Sequence, residues 1–373
     1  MIEVDSRYMA TAMALAERGL GNVWPNPAVG CVLVKDGRVV GRGWTQPGGR
    51  PHAESEAIDR AGDAACASTA YVTLEPCAHH GRTPPCTDLM LAAGIDRVVI
   101  AAVDPDPRVN GRGIELLREG GIQVEVGCLE TEACRLNAGF FARMRKGRPL
   151  VAVKLATSAD GRIATATGDS QWITGPAARA EGHRLRLRHD AILVGSGTAL
   201  ADDPMLTCRL PGLENRSPVR VVLDRRLRLP LGSRLVRSAA VQPLWLFTTA
   251  TASEGAAQLA AAGVALFSLP EADEATQLQV MLEILARRGI TRLLVEGGSA
   301  IATSFLRAGL VDRIYHLDAP LLIGGDGAAA VGLLGVRGLG DALRWRRVAE
   351  RLLDEDRLLV LEPAMRYTCS PAS

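Results

Sequence analysis

Residues 73–86 read Thr-Leu-Glu-Pro-Cys-Ala-His-His-Gly-Arg-Thr-Pro-Pro-Cys, and upstream of them stands His52-Ala53-Glu54. A histidine nitrogen and two thiolates, from His52, Cys77 and Cys86, are suitable ligands for zinc. Three protein ligands leave the fourth position open for water, the catalytic rather than the structural arrangement, and zinc lowers the pKa of that water towards neutrality. The bland alternative is a chance His-x-Glu with two buried cysteines. The neighbouring sequence supplies a scaffold. Residues 53–61 and 87–93 read as helices, so Glu54 lies at a helix start. Both cysteines precede helical segments, and a helix N-terminus favours the metal-binding thiolate.

Further out, 5–19 reads as a helix with Met9, Met13 and Ala16 on one face. Segments 28–34 and 39–44 are short apolar strands around Asp36-Gly37, a strong hairpin signal. Segments 70–74, 98–102 and 124–126 read as strands, and 114–119 as a helix ending at Gly120-Gly121. This alternation is that of an α/β protein with helices packed on a central sheet. The basic, Gly/Pro-bearing segment Arg143-Met-Arg-Lys-Gly-Arg-Pro149 is followed at once by an apolar strand, 150–155, which places a domain boundary near 147. Beyond it, 179–188, 277–288 and 300–308 read as helices and 191–194, 219–223, 244–247, 292–295 and 313–317 as strands. The expected organisation is a first α/β domain over 1–147, a second over 148–366 and a loose tail over 367–373.

At about 150 residues per domain, 373 residues suggest two domains or three. Hydrophobic residues at 47% and charged residues at 23% are the balance of an ordinary soluble globular chain. A net charge of +2 gives no support for a protein that lives on nucleic-acid backbones. No apolar run reaches the length of a spanning helix, so a membrane partner is not expected. The N-terminus, MIEVDSRYMATAMALAERGLG, carries acids and lacks the basic start of a signal peptide, so the expected compartment is the cytoplasm. Lysine occurs only at Lys35, Lys146 and Lys154, so arginine supplies nearly all the positive charge. Codon bias and phosphate recognition by guanidinium forks both explain that, and composition does not separate them. The eight cysteines read as metal ligands or buried thiols rather than disulfides.

His-x-Glu followed by Pro-Cys and a second cysteine is the pattern of zinc nucleobase deaminases, in which the glutamate carries a proton from water to the leaving amine. The usual spacing between the cysteines is two residues; here it is eight. The stretch 73–86, together with Asn26-Pro-Ala-Val-Gly-Cys31, Gly49-Arg-Pro-His-Ala-Glu54, Asp104-Pro-Asp-Pro107 and Gly111-Arg-Gly113, closely resembles the bacterial bifunctional deaminase–reductase family of riboflavin biosynthesis. In that family the widened spacing is the rule. The resemblance covers essentially the whole chain. It implies a cytidine-deaminase-like three-layer first domain acting on a diaminopyrimidine with a phosphoribosylamino group. Asn26, His79 and Arg82 are then substrate contacts, and Asp104 stands at the site mouth. Where many members carry asparagine in the D-P-N-P turn, this chain has Asp106.

The second half lacks a full G-x-G-x-x-G, since Leu200 and Leu116 occupy the third glycine position of the two partial matches, which argues against Rossmann topology. Lys154 lies inside an apolar strand, where it is costly without a partner or a role. Val295-Glu-Gly-Gly-Ser299 puts an acid and small residues between a strand and a helix, a suitable place for phosphate held by backbone N–H groups. These elements resemble the reductase half of the same family, whose fold is similar to dihydrofolate reductase. The resemblance implies that NADPH reduces the ribose to a ribityl chain. Lys154, Asp202 and Glu296 would surround the sugar, and Arg186 and Arg209 would clamp the 5′-phosphate. Trp172 and Leu206 would line the substrate pocket. Ser170, Thr174, Ser196, Thr198, Gly297, Gly298 and Ser299 would contact the cofactor. Arg225 or Arg226 is placed to hold its 2′-phosphate, though each also reads as a solvated arginine.

The leading expectation is therefore a two-site enzyme, zinc deaminase and NADPH reductase, assembled as a dimer or larger homo-oligomer, with a small phosphorylated pyrimidine as its partner. A monofunctional deaminase with a scaffold second half is the alternative, opposed by the intact Lys154, Asp202, Arg209 and Glu296. A nucleic-acid deaminase is opposed by the near-neutral charge, and a structural zinc module by the want of a fourth ligand nearby.

Overall fold

Asp36 and Gly37, with φ of 50° and 72°, form the two-residue turn whose left-handed backbone matches strand twist. They join β1 (Gly30–Lys35) to β2 (Arg38–Trp44) as an antiparallel hairpin. β3 (Thr69–Val72) pairs antiparallel with β1, and β4 (Arg97–Ile100) and β5 (Gln123–Val126) follow in parallel, giving the order β2-β1-β3-β4-β5. Two glycines show how helices cover this sheet. A Cβ on Gly30 would lie 1.9 Å from the Ala12 carbonyl in the helix Ile2–Ala16, and one on Gly43 2.0 Å from the Ala53 carbonyl in the helix Ala53–Ala61. Gly43 pairs with Cys31, the neighbour of Gly30, and successive strand residues face opposite sides. The two helices therefore pack on opposite faces, and this unit has the three layers expected of it.

The computed structural model describes residues 2–80, 84–250 and 252–364. Arg82 and the tail 367–373 lie outside the described residues. Internal contacts divide the chain between Gly147 and Arg148 into two units.

In the second unit the strands are β6 (Leu150–Ser158), β7 (Arg162–Ala164), β8 (Ala191–Gly195), β9 (Val219–Leu223), β10 (Leu244–Thr248), β11 (Ala265–Ser268), β12 (Arg292–Val295), β13 (Arg313–Ala319), β14 (Ala328–Ala329), β15 (Trp345–Leu353) and β16 (Asp356–Pro363). Among the described residues they form a nine-stranded sheet, β11-β10-β9-β8-β12-β6-β13-β16-β15, and a small β14-β7 pair. The run from β11 to β13 is parallel, and β16 and β15 extend it antiparallel. Ile192, Val194, Leu293, Leu294 and Val295 are fully buried, as parallel strands covered on both faces must be. One end of the sheet is tied by carboxylates. Asp190 accepts the Thr291 and Arg292 N–H groups at 2.7 and 2.9 Å, and Asp312 accepts the Val151 N–H at 2.9 Å and pairs with Arg148.

Several elements differ from the sequence reading. The helix Ala138–Lys146 runs into the expected linker, because Phe140, Phe141 and Ala142 are buried and Gly147 ends it at φ 64°. The hairpin β15–β16 has no alternating apolar signal, because β15 is a mostly exposed edge strand. The helix Glu254–Ala261 and β11 also went unread. Cys31, Cys66, Cys77, Cys86, Cys128 and Cys208 are free, but Cys134 is disulfide-bonded, where a metal ligand or buried thiol was the expectation. No helix among the described residues is long and apolar enough to cross a membrane.

Candidate active sites

In the first unit the sheet brings three donors together. His52 is the N-cap of the helix Ala53–Ala61, and Cys86 is the first residue of the helix Cys86–Ala92. Cys77 lies on the loop that leaves β3. His52 Nδ1 is 3.3 Å from Cys86 Sγ and 3.6 Å from Cys77 Sγ, and the three ligand atoms lie within 4.8 Å of one another. The Cys86 backbone N–H also donates to Cys77 Sγ at 3.3 Å. Hydrogen bonding from Cys86 and His52 draws the Cys77 thiol down to about 4, while its bond to Cys77, together with burial, pushes Cys86 up. No fourth His, Cys, Asp or Glu joins the group among the described residues. One imidazole and two thiols suit a borderline-soft divalent cation with an open position, which zinc fits.

Glu54, in the first turn of the same helix, is 3% exposed. Burial pushes its carboxyl up, and its Oε2 is enclosed without a hydrogen-bond partner. Glu54, His52 and Cys77 line a cavity of about 280 Å³, so a carboxyl with one unpartnered oxygen stands beside two of the donors. Asn26, His79 and Asp104 line the same cavity. Asn26 donates to the Gly49 carbonyl at 2.7 Å, and His79 Nδ1 is buried without a partner. Burial raises the Asp104 carboxyl to about 7, against the hydrogen bond it accepts from the Asp106 N–H. Asp106 is itself taken by Arg108, at 2.6 Å from Nη2 and 3.0 Å from Nε, which holds its carboxyl low.

In the second unit the register Val153–Val295 sets Lys154, in the middle of β6, level with Glu296, the first residue past the end of β12. Lys154 Nζ is 3.6 Å from Glu296 Oε2, and Arg186 forks onto both Glu296 oxygens at 2.9 Å. Burial would raise the Glu296 carboxyl, but Arg186 and Lys154 outweigh it and hold the group down at about 2. These residues share a cavity of about 650 Å³ with Ser170, Trp172, Thr174 and Arg209. Trp172 is 67% exposed, with the Arg179 guanidinium 4.5 Å over its ring, so it is a wall of that cavity and not a core residue.

A second cluster stands where the parallel neighbours β8 and β12 end. Gly298 caps the helix Ser299–Arg307 and donates its N–H to Thr198 Oγ1 at 2.9 Å, joining the Gly297–Ser299 turn to the Ser196–Asp202 helix. Arg228 donates to Ser196 Oγ at 2.6 Å. Like this cluster, two residues expected on the substrate side are not among those lining the 650 Å³ cavity. Asp202 ends its helix in an exposed position, and Leu206, with φ 55°, turns its side chain into the core beside Ile192 and Val222. Arg225 is occupied by Glu274 at 2.5 Å.

Two family models match the chain. "Cytidine and deoxycytidylate deaminase zinc-binding region" covers 2–102, and "RibD C-terminal domain" covers 149–359. The riboflavin biosynthesis protein RibD of Aquifex aeolicus is 42% identical over 95% of this chain and 97% of its own. That of Escherichia coli is 43% identical over 92% and 95%. The solved Acinetobacter baumannii RibD, form 1, superposes with a TM-score of 0.88 at 37% identity, over 98% of this chain and all of the other. The Thermotoga maritima diaminohydroxyphosphoribosylaminopyrimidine deaminase/5-amino-6-(5-phosphoribosylamino)uracil reductase gives 0.86 at 37%, over 97% and 99%. The chain belongs to the RibD family. It is a bifunctional deaminase–reductase of riboflavin biosynthesis, with a deaminase first unit and a reductase second.

Residues that the motifs did not point to complete both sites. Glu75, 3% exposed, accepts the N–H groups of Asp104 and Gly111 on Oε2 and those of Gly113 and Ile114 on Oε1. It thus fixes the loop that carries Asp104, and its only sequence signal was an acid wedged between a strand and Pro76-Cys77. His183 lines the reductase cavity one helical turn before Arg186, a spacing legible only once the helix face was known.

Proposed function

We propose that the first unit hydrolyses the amino group from 2,5-diamino-6-(5-phosphoribosylamino)pyrimidin-4-one, releasing ammonia, and that the second reduces the ribosyl group of the product to ribityl with NADPH. His52, Cys77 and Cys86 would hold zinc, whose Lewis acidity there would make a water nucleophilic near pH 7. Glu54 takes the proton of that water on its partnerless Oε2 and returns it to the departing amino nitrogen, a role that a buried carboxyl with a raised pKa can fill in both directions. Asn26 orients the pyrimidine, His79 and Arg82 bind further along the cysteine loop, and Asp104 closes the mouth.

In the second unit a bound NADPH would be the source of the hydride needed at C1′ of the opened sugar. Glu296, kept ionised between Lys154 and Arg186, accepts from sugar hydroxyls, and Lys154 donates to the sugar oxygen. Trp172 flanks the substrate. Arg209 binds the 5′-phosphate, since the Arg186 fork is already filled by Glu296. Ser170, Thr174, Ser196, Thr198 and the Gly297–Ser299 turn hold the cofactor. The protein works in the cytoplasm as a homo-oligomer, without nucleic-acid or membrane partners.

The observation that carries this reading is the buried, partnerless Glu54 oxygen of a residue that shares one cavity with His52 and Cys77, two members of the three-donor set. The test is to mix purified protein with the diaminopyrimidine nucleotide with and without NADPH, following ammonia and NADPH together. Ammonia is expected in both mixtures and oxidation of NADPH only after it. NADPH consumption before ammonia release would reverse the order.

A further inference from the structure

Among the residues that the helix Pro176–Leu187 contributes to the reductase cavity, His183 and Arg186 both grip the loop that carries Arg209. Arg186 Nη1 donates to the Thr207 carbonyl at 2.9 Å. His183 meets Arg209 twice: the Arg209 backbone N–H lies 3.3 Å from Nδ1, and its Nε lies 3.3 Å from Nε2. We propose that His183 is a positioning residue, whose Nε2 accepts from Arg209 Nε and thereby aims the two terminal nitrogens of that guanidinium at the substrate phosphate. The inference rests on the assignment of Arg209 to the phosphate.

Three observations carry it. Arg209 makes no ion pair among the described residues, and its Nη1 and Nη2 have no protein partner there, so the edge that matches a phosphate is open. Arg186, in the same cavity, has its charge matched by Glu296 and cannot offer the same net attraction. A carboxylate holding Arg209 would orient it equally well but would cancel the charge and compete with the phosphate. An uncharged imidazole orients without cancelling. Burial, then the charges of Arg186 and Arg209, hold His183 down to about 4, so the ring is a neutral acceptor in ordinary conditions. A neutral imidazole accepts at one nitrogen only, so the two contacts to Arg209 exclude each other.

That exclusivity gives the test. In glutamine the amide oxygen stands in for Nε2, and in asparagine for Nδ1. Full-length His183→Ala, His183→Gln, His183→Asn and Arg209→Gln proteins would be compared in KM and kcat. The substrates are 5-amino-6-(5-phosphoribosylamino)uracil and its dephosphorylated counterpart, with NADPH affinity measured separately by fluorescence titration. His183→Ala is expected to raise KM for the phosphorylated substrate about tenfold with little change in kcat, as a lost hydrogen bond to a charged group would. KM for the dephosphorylated substrate and NADPH affinity stay unchanged. His183→Gln recovers most of the loss, His183→Asn does not, and His183→Ala adds nothing once Arg209→Gln is present.

Equal losses for the two substrates, a parallel fall in NADPH affinity, or rescue by asparagine instead of glutamine would overturn the proposal. So would an intact phosphate preference in His183→Ala beside a lost one in Arg209→Gln, an outcome that leaves the phosphate assignment standing. An intact preference in Arg209→Gln itself would remove that assignment and the proposal with it.

Discussion

Glu54 is the residue on which the deaminase reading can be broken most cleanly. A glutamine keeps its shape inside the helix start but cannot take up a proton. Ammonia release by Glu54→Gln is expected to fall about 10³-fold, the scale of a lost general base. Reduction of the deaminated intermediate, supplied directly, stays at the parent rate. A folded variant that lost both activities would count against separate sites. Glu54, His52, Cys77 and Cys86 were legible because their chemistry is written within short motifs. Leu206 and Asp202 show what such reading does not supply. Family position marks a residue but not its side-chain direction, and a left-handed φ turns Leu206 into the core while Asp202 ends its helix in solvent. His183 was missed for the opposite reason, since its meaning depends on a loop more than twenty positions away.

At the scale of elements, the loop 104–114 depends on one carboxylate. Each oxygen of Glu75 accepts two backbone N–H groups, and Glu75→Gln must turn its NH₂ towards one of those pairs. Two buried donors then face a donor. The expected cost is about 1–3 kcal/mol, and amide exchange should quicken at Gly113 and Ile114 or at Asp104 and Gly111, whichever pair the amide faces. Unchanged exchange at all four would show that the loop is held by something else. Elements with strong periodicity or turn chemistry, such as the Asp36-Gly37 hairpin and the strands β8, β9 and β12, could be read directly. β15 could not, because an edge strand rich in arginine lacks the alternation that burial imposes, and its register shifts between Arg347 and Ala349. The last turn of the helix Ala138–Lys146 reads as linker because it is basic, which a helix C-terminus favours.

For the molecule as a whole, pH and metal should act on different halves. His189 is fully enclosed in the second unit, and burial followed by the charge of Arg292 lowers it to about 3. The unfolded chain therefore binds a proton between about 6.5 and 3 that the folded unit refuses, and stability falls as pH drops through that window. Between pH 7.5 and 5 the loss from this one group is about 2 kcal/mol. His189→Phe should remove that part of the acid sensitivity in urea unfolding, whatever it does to stability at pH 7.5, and an unchanged difference between the two pH values would refute it. Metal belongs to the other half. The ligand set His52, Cys77 and Cys86 lies wholly in the first unit, while Lys154, Arg186 and Glu296 lie in the second and need no cation beyond their own charges. A chelator strong enough to empty the site should abolish ammonia release and spare NADPH oxidation with the deaminated intermediate. Added zinc should restore the first activity in step with one bound metal per chain. If chelation silences reduction to the same extent, the cation supports the whole molecule and not one reaction, and the assignment of one chemistry to each unit fails.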